Sequence, residues 1–181
     1  MTTDVVIKHR PSFSTLEVEL SPGKSIVAES DAMASMSSNV DIATRLNGGF
    51  FTALMRKIFG GESLFINEFK IDGTDNGSVV LTQPTPGDIE MVELHNTALY
   101  LQPGAFVACD PTIELSLGWA GLASLVGGEG LFRLKVSGQG RVWIGGYGGI
   151  EPVDVKDEYI VDSSHMLAYE PTVRLSIGLA G

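Results

Sequence analysis

Two glutamates, Glu62 and Glu129, stand in matching phrases, Gly60-Gly-Glu-Ser-Leu-Phe65 and Gly127-Gly-Glu-Gly-Leu-Phe132. Two carboxyls held close together split their pKa values and can divide the roles of acid and base. A shared turn in a repeated phrase explains the recurrence without chemistry. Three histidines, His9, His95 and His165, fall one in each third of the chain, as a three-imidazole metal site would ask. In the internal alignment, however, His165 matches Ala105, and His95 follows the strand-like Val92-Glu-Leu94, so the three do not converge on one axis. They read as exposed or structurally satisfied imidazoles.

The other reactive patterns are incomplete. Cys109 is the single cysteine, which excludes an internal disulfide and a cysteine-based zinc site, and its apolar surroundings suit a buried structural thiol. Pro22-Gly-Lys-Ser25 has the end of a phosphate-binding loop, but Val18 stands where that loop needs its first glycine. Gly138-Gln-Gly140 opens a dinucleotide fingerprint that fails at Trp143 and precedes no helix, so it is expected to be a hairpin turn. No Gly-x-Ser-x-Gly elbow and no Cys-His pairing is signalled. The expectation is no catalytic, cofactor-binding or metal-ligating residues, no cofactor, and no enzymatic activity.

The elements that hold these residues come from a repeat. Asp110-Pro-Thr-Ile-Glu-Leu-Ser-Leu-Gly-Trp-Ala-Gly121 returns as Glu170-Pro-Thr-Val-Arg-Leu-Ser-Ile-Gly-Leu-Ala-Gly181, an offset of 60 positions. Residues 32–42 match 105–115 at an offset of 73, and the Gly-Gly-Glu phrases match at 67. Three copies of one unit follow: unit 1 about 15–87, unit 2 about 88–150, and an incomplete unit 3 about 151–181, all within a single repeat-built β domain spanning 1–181.

Composition agrees with strands. Of 181 residues, 44% are hydrophobic and 19% charged, with 22 glycines and 8 prolines, which suits short strands and tight turns. Strands are expected at 5–8, 16–20, 25–28, 32–36, 40–44, 64–71 and 78–82, then at 91–94, 98–101, 105–109, 112–117, 131–136 and 141–144. In unit 3 they are expected at 153–155, 158–161, 166–169 and 173–177. Phe50, Phe51, Leu54, Met55, Ile58 and Phe59 fall at helical spacing and predict one short helix, a cap over the β core, with a shorter apolar link at 119–126. Gly145-Gly-Tyr-Gly-Gly149 is expected to turn the chain.

The formal net charge of −10, with 12 scattered basic residues, sets the protein against nucleic acid and bare anionic lipid. No long apolar run or basic leader is visible, so stable membrane insertion is not expected and the chain reads as a cytoplasmic, acidic protein.

The Gly-Gly-Glu-x-Leu-Phe phrases, Gln83-Pro-Thr-Pro-Gly-Asp88 and Ile160-Val-Asp-Ser-Ser-His-Met-Leu-Ala-Tyr-Glu170 together resemble the family named for altered inheritance of mitochondria, number twenty-four. The resemblance spans nearly the whole chain. It implies a fold like that of the tryptophan RNA-binding attenuation protein, β-sandwich or barrel units in pseudo-threefold order with one or two short helical links. It brings no catalytic residues to carry over, and fold likeness alone does not transfer RNA binding. Mitochondrial members are linked to inner-membrane organisation and respiratory growth.

The expected function is therefore a non-enzymatic scaffold or protein-interaction module, with a small-ligand or metal-binding β module as the alternative. The repeat plan leaves unit 3 without its second strand pair, which exposes an edge and an apolar face around Met166, Leu167, Val173, Leu175 and Ile177. The segment at 5–8 fills at most part of that gap. A homo-oligomer is expected, a trimer or dimer with unit 3 in its interface, alongside a possible protein partner.

Overall fold

Residues 3–45, 66–102, 104–119 and 132–176 are described by the structure, a computed structural model. Glu17 and Glu19 alternate with Leu16, Val18 and Leu20, and the chain there forms a strand with one buried and one wet face. Twelve strands form among the described residues, some alternating in this way and others, such as 106–109, buried on both faces. They are β1 (Asp4–Lys8), β2 (Thr15–Leu20), β3 (Ser25–Glu29), β4 (Met33–Met36), β5 (Val40–Arg45), β6 (Ile66–Ile71), β7 (Gly77–Thr82), β8 (Gly87–Leu101), β9 (Phe106–Cys109), β10 (Ile113–Trp119), β11 (Phe132–Tyr147) and β12 (Ala168–Tyr169).

Two antiparallel sheets result. One has the order β1-β2-β7-β4; the other runs β12-β8-β11-β9-β3-β6-β5, with β10 also paired to β11. Between them lies a core of Leu16, Val18, Leu20, Ile26, Phe69, Val79, Leu81, Ile89 and Trp143, each side chain contributing roughly 1.5–3 kcal/mol of apolar burial. A second core gathers Val27, Leu101, Phe106, Cys109, Leu134, Val136 and Val142.

The strands of units 1 and 2 form near their expected places, with two corrections. The strands expected at 91–94 and 98–101 are one element, β8, of 15 residues. Those expected at 131–136 and 141–144 are likewise joined in β11, of 16 residues. Gly138-Gln-Gly140 is accordingly no hairpin turn. It lies inside β11, where the register against β8 slips between Gly138 and Gln139. Gly138 and Gly140 have φ of 124° and 148°, and on β8 Asn96 is left out of the pairing with φ 58°. Positive φ is cheap for glycine and tolerable for asparagine, so both strands bend and continue instead of ending. Of the expected turn at 145–149, only the end turns: Gly145 to Tyr147 stay in β11, and Gly148 takes φ 78°.

Unit 3 differs more. The strand expected at 166–169 shortens to β12, and the strands expected at 153–155 and 158–161 are irregular chain, as are residues 173–176. The segment at 5–8 pairs with β2 rather than with unit 3. Of the link expected at 119–126, Trp119 instead ends β10, and residues 120–126, the expected helix at 50–59, Glu62, Glu129 and Ile177 lie outside the described residues.

Candidate functional site

The histidines are far apart in the topology. His9 follows β1 with φ 60°, His95 is exposed in β8 opposite Gln139, and His165 is exposed in a 3-10 turn, Ser163–His165. Among the described residues, no group of three or more His, Cys, Asp or Glu could hold a metal ion. Cys109 is fully buried in β9, where its neighbours are apolar. Gly23 of the Pro22-Gly-Lys-Ser25 phrase takes φ 78° in the turn between β2 and β3, where Lys24 N–H donates to the Ser21 carbonyl at 2.9 Å.

Two charged clusters that sequence reading missed hold the ends of β1. After β1, Arg10 Nε and Nη2 donate to the Asp88 carboxylate at 3.0 and 2.8 Å, and Nη2 also meets Glu90. Asp88 itself is buried, accepting further bonds from Ser14 Oγ at 2.7 Å and Ile89 N–H at 2.8 Å. The Arg10 guanidinium, helped by the Ser14 and Ile89 donors, holds the Asp88 carboxyl below its ordinary range although burial opposes this; Arg10 is raised in turn. Before β1, Thr3 accepts at its carbonyl from Arg141 Nη2 at 2.9 Å. Arg141 also forks onto Asp110 at 3.0 and 2.9 Å and lies 4.9 Å from the Trp143 ring. Each carboxylate is met by several donors. Such clusters clamp backbone on either side of β1. Their sequence signal was weak because the partners are 78 and 31 residues apart.

The surface offers a different kind of site. Residues 150–161 run outside both sheets, and along them Val153, Val155, Tyr159, Ile160 and Val161 are exposed, Ile160 to 89%. Interleaved are Glu151, Asp154, Asp157 and Glu158 with one Lys156. The apolar face expected at Met166, Leu167, Val173 and Leu175 is half-buried instead, so the exposed stretch falls earlier than anticipated. The reason is local: Gln102 N–H donates to the Leu167 carbonyl at 2.8 Å, and β12 lies on β8 with the Tyr169 and Tyr100 rings stacked at 5.2 Å. A second exposed apolar edge is β4, all four of whose residues are exposed, Met36 to 38%.

An antiparallel two-sheet β protein that, among the described residues, exposes a stretch of apolar chain outside its sheets is the class these observations define. Within it, residues 5–181 match the sequence profile of the family described as mitochondrial biogenesis AIM24, and the chain belongs to that family. It is 28% identical over 176 residues to an uncharacterised protein of Streptococcus pyogenes serotype M6, across 92% of this chain and 70% of that protein. It is also similar to the X-ray crystal structure of protein SPYM3_0169 from Streptococcus pyogenes, with a TM-score of 0.73 and 26% identity, covering 94% of this chain and 77% of the other. No helix among the described residues is long and apolar enough to cross a membrane.

Proposed function

We propose that the chain is a non-enzymatic β scaffold, built from three related units, that assembles with copies of itself through the third. The observation that carries the reading is the exposed row Val153, Val155, Tyr159, Ile160 and Val161. Five large apolar side chains exposed within nine residues supply the kind of surface that protein interfaces use. Closed symmetry is the usual way identical chains bury it, and a trimer or dimer meets that need.

The three-unit plan has its own support in hydrogen bonds that recur at the sequence offsets. Val40 N–H to Ser37, Ile113 N–H to Asp110 and Val173 N–H to Glu170 are the same turn at 3.1, 3.0 and 3.0 Å. Sheet pairing recurs too. Met33, Ser35 and Met36 of β4 face Leu81, Val80 and Val79, and Phe106, Ala108 and Cys109 of β9 face Ile144, Trp143 and Val142, with a register shift at the matching place in both. This order supports the fold that the family resemblance implies, one like that of the tryptophan RNA-binding attenuation protein. RNA is no part of the reading, since a net charge of −10 repels polyanions. A lone buried thiol that forms no internal bridge fits a reducing, cytoplasmic setting.

Native mass spectrometry tests the function. The expected result is a small integer multiple of 19.3 kDa with no added mass. A single chain carrying a stoichiometric metal or small molecule would overturn it in favour of a ligand-binding module.

A further inference from the structure

Strand β9 is held on both edges: β11 pairs with one, and on the other Cys109 faces Val27 and Ala108 faces Ala28 of β3. Strand β12, one repeat later, meets β8 in the same way, with Tyr169 facing Tyr100 and Ala168 facing Leu101. The offsets of 73 and 60 that align the sequence carry Val27 to Tyr100 and Cys109 to Tyr169, so the two contacts are one contact made twice in one antiparallel register. The third position in this series is β4. Its Met36 aligns with Cys109 and its Ser35 with Ala108, and it pairs with β7 as β9 pairs with β11. Yet no strand among the described residues pairs with the other edge of β4, and its residues are exposed where those of β9 are all buried.

The same offsets name what is missing. Tyr100 aligns with Ile160 and Leu101 with Val161, residues of the exposed stretch that no sheet takes up. We infer that the open edge of β4 is the docking site for residues 159–161 of a second copy of this chain, joined as an antiparallel strand with Ile160 opposite Met36 and Val161 opposite Ser35. The proposal rests on the self-assembly reading above and specifies its contact. The pairing supplies main-chain hydrogen bonds to two segments that no strand among the described residues satisfies. It also sets Ile160 against Met36 where the earlier contacts set Tyr100 against Tyr169 and Val27 against Cys109, an apolar pair in each case. The contact is head-to-tail, one copy giving residues 159–161 and receiving at β4, so it closes into a ring where the rotation permits.

Paired cysteines read the register. Antiparallel neighbours lie within the roughly 4.4–6.8 Å between Cα atoms that a disulfide spans, and the native Cys109 is buried out of reach. Met36→Cys and Ile160→Cys, introduced in one chain and oxidised mildly, are expected to give covalent dimers and higher multiples on non-reducing gels. The out-of-register pair Met36→Cys with Asp157→Cys is expected to give at least tenfold less. Both positions of the in-register pair are exposed, so folding survives the change. A disulfide formed only within one chain would overturn the inference, because residues 159–161 would then close on their own β4. Oligomers seen by light scattering without in-register cross-linking would also overturn it while leaving self-assembly standing; a monomer by light scattering would remove both.

Discussion

Asp88 shows how one residue organises its surroundings. Its carboxylate accepts from Arg10, Ser14 and Ile89, and so ties the segment after β1 and the approach to β2 onto the start of β8. Asp88→Ala strands the Ser14 hydroxyl and leaves Arg10 with Glu90 as its remaining carboxylate partner. Because the Arg10 side chain is 42% exposed, the expected cost is about 1–3 kcal/mol, below that of a fully buried pair, read as a lower urea midpoint. The folded-state pKa of Asp88 is depressed. Its contribution is therefore fully present above the unfolded value of about 3.9 and is lost as pH falls towards the folded value. Asp88→Asn should flatten that part of the acid limb, and an acid limb identical to wild type would contradict the role given to Arg10. Gly87, one residue earlier, is constrained by space: a Cβ there would lie 1.9 Å from the Gly146 carbonyl oxygen. Backbone cannot swing aside as a side chain can, so Gly87→Ala should cost at least about 2 kcal/mol. Gly149→Ala, with nothing within 4 Å, should stay within about 0.5 kcal/mol in the same thermal melt.

At the scale of elements, β8 and β11 dominate, since they pair from Leu101 opposite Leu134 to Gly87 opposite Tyr147 and each serves both cores. Trp143 in β11 is fully buried against the first core, with Arg141 stacked on it. Trp143→Ala should cost about 3–5 kcal/mol, whereas Tyr147→Ala, at a ring 83% exposed, should shift the melting midpoint little. Strand positions were legible in units 1 and 2 because alternation such as Leu16-Glu-Val-Glu-Leu20 states which face is buried. Continuity was not legible. Glycines at 138 and 140 signal a break in hydrogen bonding, and the sequence looks the same whether the chain reverses there or passes through a bulge. Tertiary pairing with β8 decides the matter, and it acts over more than thirty residues. The charged clamps were hidden for the same reason, Arg10 and Asp88 being neighbours only after folding.

For the whole molecule, the strongest pattern in the sequence is the one the proposed repeat rests on, Asp110-Pro-Thr and Glu170-Pro-Thr each followed by a similar apolar alternation. What the offsets did not reveal is where unit 3 would leave its apolar side chains. Met166 and Leu167 were natural candidates, but β12 and the Gln102 bond to Leu167 draw that part onto β8, and Tyr159, Ile160 and Val161 are left outside. The account of the molecule as a self-assembling scaffold depends on those residues. Sedimentation velocity of the wild-type chain beside Ile160→Asp, at micromolar concentration, tests it most directly. The prediction is a wild-type species of two or three chains that the substitution converts to a folded monomer; a wild-type chain that sediments as a stable monomer would contradict the account.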